Sequence, residues 1–266
     1  MNDLHFTDEA IAGLFTQSAL MIILPIILLI VWKVRTHEKI FPVIVGAATW
    51  LLFAIILKLA PAYFLLQADN PAAKTISGNI WLTMLIGGIL AGVFEETGRF
   101  IAFRTVLKKY KGRRTSLSYG IGHGGFESIY IGMQMLMFPV IGIMVNNGMG
   151  DQLTAGMYET AKAAMLAQTE PISQSTFAYC MLGVYERIPA IAFHISASVL
   201  VFAAAREKKY AFLYPLMIFV HAVFDFMIVF YSAGIVPSWA IELMFTAFAA
   251  AAAYFALKVY RILERN

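Results

Sequence analysis

The side chains with the means to do chemistry are acids, imidazoles and arginines set into otherwise apolar sequence. Glu95, Glu96 and Arg99 stand in Phe94-Glu95-Glu96-Thr97-Gly98-Arg99, and His123 and Glu127 in His123-Gly124-Gly125-Phe126-Glu127. His194 follows Glu186 and Arg187, and His221 and Asp225 bound His221-Ala222-Val223-Phe224-Asp225. Carboxylates and imidazoles in a cavity poor in water suit activation of a water molecule, the carboxylate as base and the imidazole sharing the proton or stabilising an oxyanion. The same groups can hold a divalent metal such as zinc, three protein ligands leaving one position open for water. The candidate ligands are His123, His194, His221 and Glu95. The metal-free and metal-assisted routes stand open side by side, and both give hydrolysis.

Spacing refines these roles. His123 with Glu127, His221 with Asp225, and Glu95 with Arg99 are i, i+4 pairs that share a helix face, where a carboxylate can orient an imidazole or hold a guanidinium. Glu96 is turned about 100° from Glu95, so the two carboxylates are expected to do different jobs, one facing the cavity and the other holding Arg99 or a neighbouring helix. Glu186 and Arg187 read as a structural ion pair. Gly120, Gly122, Gly124 and Gly125 thin the helix around His123, which allows close helix approach or leaves room for a substrate backbone.

The elements that must position these groups are set by composition. Of 266 residues, 60% are apolar and 14% charged, with a mean hydropathy of +0.74. An ordinary soluble domain holds about 45–50% apolar and roughly 25% charged residues, so that class is excluded. The apolar runs are too long and too continuous for a membrane barrel, which leaves an all-α, polytopic transmembrane helix bundle. Spans are expected at 10–32, 41–66, 79–103, 115–145, 177–204, 211–232 and 238–260, seven in all. No repeat or linker divides the chain, so residues 1–266 are expected to form a single membrane-embedded domain with spans three to six, about 79–232, as its core.

Fifteen of the 20 Lys and Arg residues fall on alternate connections, including Arg104, Lys108, Lys109, Lys111, Arg113 and Arg114 after span three. By the positive-inside bias this places the N-terminus outside and the C-terminus in the cytoplasm of a cell membrane, expected to be a bacterial plasma membrane. The net charge of +4 is thereby read as topology, with no nucleic-acid partner expected. The acidic start, with no Lys or Arg before Lys33, is unlike a signal peptide, so the first span is expected to be retained. The polar connection 146–176 is either a lid or a plain loop, with an amphipathic stretch around Tyr158 to Leu166. Cys180 is the one cysteine, so no internal disulfide can form.

Depth follows from the topology. Glu95 lies nine residues before Arg104, His123 nine after Arg114, His194 twelve before Arg206 and His221 twelve after Lys209. At a rise of about 1.5 Å per residue, all four fall roughly 13–18 Å from the basic boundary. Four antiparallel helices thus carry their polar groups in one layer of a hydrocarbon core about 30 Å thick. Charges at that depth are costly and mark function by default.

Several familiar sites are absent. No His-Glu-x-x-His zincin motif, Gly-x-Ser-x-Gly elbow or aspartyl pair is found, and Gly120-x-Gly122-x-x-Gly125 lies in an apolar span with no preceding strand. The order Glu95-Glu96-x-x-Arg99, His123-x-x-x-Glu127, His194, His221-x-x-x-Asp225 across spans three to six resembles the YhfC-type family of intramembrane peptidases. More distantly it is similar to the CAAX prenyl endopeptidase and bacteriocin-processing group, the PrsW proteases and the scaffold subunit of gamma-secretase. The resemblance covers about residues 10–260. It implies a glutamate-dependent peptidase acting on a membrane-anchored or hydrophobic peptide within the lipid bilayer. In that scheme Glu95, paired with His123, activates water, His221 and Asp225 face the oxyanion, and Glu96 and Arg99 give support. Two other classes compete with this reading: a non-catalytic scaffold or immunity protein of the same fold, and a proton-coupled transporter.

Overall fold

Continuous apolar stretches bounded by polar turns give seven long helices in a computed structural model that describes residues 4–263. They are α1 (Asp8–Thr36), α2 (Phe41–Leu66), α3 (Ile80–Arg104), α4 (Arg114–Asn146), α5 (Phe177–Arg206), α6 (Lys208–Ser232) and α7 (Ser238–Ile262). No strand occurs among the described residues. Each helix is long and apolar enough to cross a membrane, and the seven coincide with the expected spans to within a few residues.

Local chemistry sets several boundaries. The Asn79 side chain accepts from the amides of Trp81 and Leu82 and so starts α3. Asn70 does the same for the short helix Pro71–Ser77 through the Ala73 amide, with proline in the first turn where no amide donor is missed. The helix α2 contains a π-helical stretch, Leu51–Leu57, and α4 is interrupted at Leu136. The helical part of α6 that carries His221 and Asp225 ends at Phe226. The connection after α4 holds the helices Gly150–Leu153 and Glu159–Ser173.

Contacts divide the chain into two units. One comprises the described residues up to Ile27 with Ser128–Arg187. Its core gathers Phe6, Leu14, Ile141, Val145 and Cys180. Asn146 stitches it by accepting from the Phe6 amide at 3.0 Å and donating to the Phe6 carbonyl at 2.8 Å.

The other unit comprises Leu28–Glu127 and the described residues from Ile188 onward. Its core runs through Phe103, Tyr119, Phe193, Phe202, Met217, Phe224 and Phe245, with Phe193 stacked on Phe224 at 4.4 Å. The C-terminal half of α5 is the most deeply enclosed helix segment: 83% of the most apolar window of α5 is buried, against 28–33% for the other six spans. Small residues make that enclosure possible, among them Ala197, Ser198 and Ala203 to Ala205. Two close approaches fix how the helices carrying acids and imidazoles are set against their neighbours. A Cβ on Gly92 would strike the Ile218 carbonyl oxygen, which locks α3 against α6, and a Cβ on Gly122 would strike the Val43 carbonyl, which locks α4 against α2.

Candidate functional site

One turn beyond Gly92, α3 presents Glu95, Glu96 and Arg99, all buried. The close α3–α6 packing delivers His221 to them, and α4 and α5 bring His123, Glu127 and His194. Every one of these residues belongs to the second unit.

Arg99 is the hub. Its guanidinium is wholly buried, with Nε 3.0 Å from Glu96 Oε2. One terminal nitrogen donates to the His194 carbonyl at 2.7 Å and to Ser198 Oγ at 2.5 Å. The other lies 3.3 Å from both His123 Nε2 and His194 Nδ1. A buried ion pair is tolerated best when its remaining donors are engaged, and here both terminal nitrogens of the guanidinium are. The Tyr119 ring lies 5.9 Å from the guanidinium carbon.

Because a guanidinium only donates, the rings around it have assigned proton positions. His194 Nδ1 accepts from Arg99, so Nε2 carries the hydrogen and donates to Glu127 Oε2 at 2.7 Å. His221 Nδ1 donates to Glu96 Oε1 at 2.7 Å, and its Nε2 lies 3.9 Å from Glu95 Oε2 and 3.8 Å from Asp225 Oδ2. His123 Nε2 lies 3.1 Å from Glu95 Oε2. That nitrogen has one site, a lone pair or a hydrogen, so it engages either the Arg99 donor or the Glu95 oxygen. The three rings form a continuous array, with centroids 4.8 Å apart for His123 and His194 and 5.4 Å for His194 and His221.

The structure therefore brings Glu95, Glu96, Arg99, His123, Glu127, His194, His221 and Asp225 into one layer. Two expected pairings are corrected. Arg99 takes its ion pair from Glu96, at i, i+3, rather than from Glu95. Glu127 bonds His194 on the neighbouring helix instead of His123 on its own, and His123 Nδ1 is buried without a hydrogen-bond partner among the described residues. In each case a side chain on one face of a helix points at the helix packed against it, and the partner there wins over the partner one turn away. The two acids do have different roles, since Glu96 is fully buried and structural in its bonding while Glu95 retains slight exposure. Glu186 and Arg187 form an ion pair with each other in the other unit.

A metal has a natural place here. Among the described residues, Glu95, His194 and His221 each offer a donor atom, all within 4.8 Å of one another and all buried. Two imidazoles and a carboxylate are a donor set that catalytic zinc accepts. The hydrogen bond from His221 Nδ1 to Glu96 matches the carboxylate–histidine arrangement that orients a ligating ring. His194 fits less simply, since its Nε2 must first give up the hydrogen held toward Glu127. His123 is not in the converging set, its Nε2 being held between Glu95 and the Arg99 cation.

Two neighbours were not read from the sequence as part of the site. Ser198 and Tyr119 touch Arg99, and each lies one turn from a site histidine, four residues after His194 and four before His123. Polar residues at that spacing were the available signal.

The family described as YhfC intramembrane metalloprotease matches residues 20–246. The uncharacterized membrane protein YhfC of Bacillus subtilis (strain 168) is 30% identical over 261 residues, covering 97% of this chain and 99% of that relative. No solved structure matches.

Proposed function

The chain belongs to the YhfC intramembrane metalloprotease family, and from that premise we propose that it is a membrane-embedded peptidase that cleaves a hydrophobic or membrane-anchored peptide, with the reaction centred on Glu95. The observation that carries this reading is the convergence of Glu95, His194 and His221 in a buried layer framed by Arg99 and Glu96.

Glu95 is the one of the two adjacent carboxylates that retains slight exposure. It takes the proton of the attacking water as the water oxygen bonds to the scissile carbonyl carbon, and returns that proton to the departing amine. His123, 3.1 Å away, holds the carboxylate in place and shares the proton while it is in transit. His221 and Asp225 face the carbonyl oxygen, where a protonated group donates to the developing negative charge. Glu96 fixes the His221 ring, and Arg99 ties α3 to α5 through the His194 carbonyl and Ser198. The likeness of the motif order to the CAAX and PrsW groups supports the same division of labour.

If a divalent metal is resident, Glu95, His194 and His221 hold it, and its chemistry is to acidify water and polarise the carbonyl. Glu95 is then a ligand, and Glu127 and Asp225 are the carboxylates left to carry the proton. The test pairs metal content with turnover in the purified protein, reconstituted with a fluorogenic transmembrane peptide. Glu95→Gln is expected to lower turnover by about 10²–10⁴-fold while the protein still inserts and remains monodisperse. About one metal per chain, lost in His221→Ala, selects the metal-assisted form, and full turnover in metal-free protein selects Glu95 as base. Turnover retained in Glu95→Gln removes the proposal.

A further inference from the structure

The ends of α3, α5 and α7 and the start of α4 meet at a cavity of about 560 Å³, lined by Arg104, Lys108, Lys111, Arg113 and Arg206. Five cations around one concavity repel one another unless an anion sits among them. The one acid in the lining, Glu207, is engaged by Lys209 at 2.9 Å. None of Arg104, Lys108 and Lys111 has a carboxylate partner among the described residues.

The cavity is built rather than incidental. Arg206 donates to the carbonyls of Leu107 at 2.7 Å, Tyr110 at 3.1 Å and Lys108 at 3.3 Å, so its two terminal nitrogens shape the connection that carries the two lysines. Leu107 is fully buried beneath that connection, and Tyr110 stacks on Phe41 at 5.6 Å. Arg113 is held by the Tyr260 carbonyl at 3.1 Å and by the face of the Tyr260 ring. Other cations at these helix ends are occupied elsewhere: Arg114 pairs with Glu38 at 3.6 Å, Lys39 lies over the Tyr110 ring, and Lys33 donates to the Glu38 carbonyl. A general surplus of base on one side would scatter; these five converge. Phe202 and Leu263 add an apolar edge to the same cavity.

We propose that this cavity binds a phosphate group, carried by an anionic phospholipid of the adjoining leaflet. Arginine forks and lysine ammonium groups suit phosphate oxygens, and a polar headgroup lies at the depth of helix ends, where the apolar edge meets its glycerol and first methylenes. The site is separate from the acid and imidazole layer, so its test does not depend on peptidase activity.

Full-length protein in detergent is incubated with phosphatidylglycerol, phosphatidylcholine or inorganic phosphate, and retention and melting temperature are read by native mass spectrometry and thermal shift. Phosphatidylglycerol is expected to be retained and to raise the melting temperature, with phosphatidylcholine well behind. Lys108→Gln/Lys111→Gln is expected to weaken phosphatidylglycerol binding by about tenfold. The control Lys109→Gln/Lys208→Gln, which removes the same charge from exposed positions outside the lining, is expected to leave it unchanged. Equal losses in the two double variants, or equal retention of the two lipids, overturns the proposal. Stabilisation by inorganic phosphate equal to that by phosphatidylglycerol, and lost in Lys108→Gln/Lys111→Gln, keeps the phosphate site and overturns the lipid as its source.

Discussion

Arg99 and Arg104 sit five residues apart on the same helix, yet the protein treats them in opposite ways. Arg99 has no exposed surface, and its guanidinium is ringed by Glu96, His123, His194 and Ser198. Arg104, at the helix end, lies over the Phe100 ring and lines an open cationic cavity, with no carboxylate partner among the described residues. The difference is one of solvent. In the middle of the layer neither water nor lipid can hydrogen-bond a guanidinium, so the fold must supply every partner. At the rim, water and headgroups supply them, and the charge stays available to a ligand.

The largest expected effect follows from removing the internal partner. Arg99→Met leaves buried Glu96 with only its hydrogen bond from His221, and breaking such a pair costs about 3–5 kcal/mol. The checking measurement is the thermal melt of the detergent-solubilised variant alongside Arg99→Met/Glu96→Leu. Replacing both charges is expected to recover much of the lost stability, because the penalty comes from the stranded carboxylate. A double variant no more stable than the single one would show that Arg99 works chiefly through His194 and Ser198.

This contrast also explains what was legible in the sequence. The seven spans could be read because chain length and apolarity are dictated by bilayer thickness, and counting residues from each basic boundary put the four key side chains in one layer. Who bonds whom could not be read the same way. The resemblance did imply the pairing of Glu95 with His123, but intrahelical spacing pointed Glu127 to His123 and Arg99 to Glu95, whereas Glu127 bonds His194 across to the next helix and Arg99 pairs with Glu96. Those choices depend on helix rotation, which is set by close approaches at Gly92 and Gly122 rather than by periodicity. The division into two units and the π-helical stretch in α2 left no pattern in composition either.

A middle-sized effect is expected at Glu96, which is a positioning residue. Glu96→Gln keeps the shape and an acceptor for Arg99, and removes the charge that orients His221 through Nδ1. Loss of such an orienting carboxylate costs about 10–100-fold in activity or metal affinity. The drop should fall on kcat with KM little changed, since Glu96 has no exposed surface with which to touch a peptide. Rescue by Glu96→Asp would argue for charge over exact reach. A rise in KM alone would make Glu96 a substrate-binding residue and end its assignment to positioning.

The smallest effect is expected at the other arginine. Arg104→Gln strands no buried acid, and its side chain contributes only packing on Phe100 and long-range repulsion from Arg206 across the cavity. Exposed substitutions away from caps and networks are nearly neutral, so the melting temperature in lipid-free detergent should move by less than about 2 °C. Relief of repulsion can even make that small change positive. With phosphatidylglycerol present, wild type should gain more stability than Arg104→Gln, because a ligand that binds the folded state stabilises it in proportion to its affinity. The same substitution is therefore silent without an anion and visible with one, whereas Arg99→Met is costly in both conditions. If Arg104→Gln proved as damaging as Arg99→Met without lipid, the rim would share the closed character of the layer, and the distinction between the two arginines would fail.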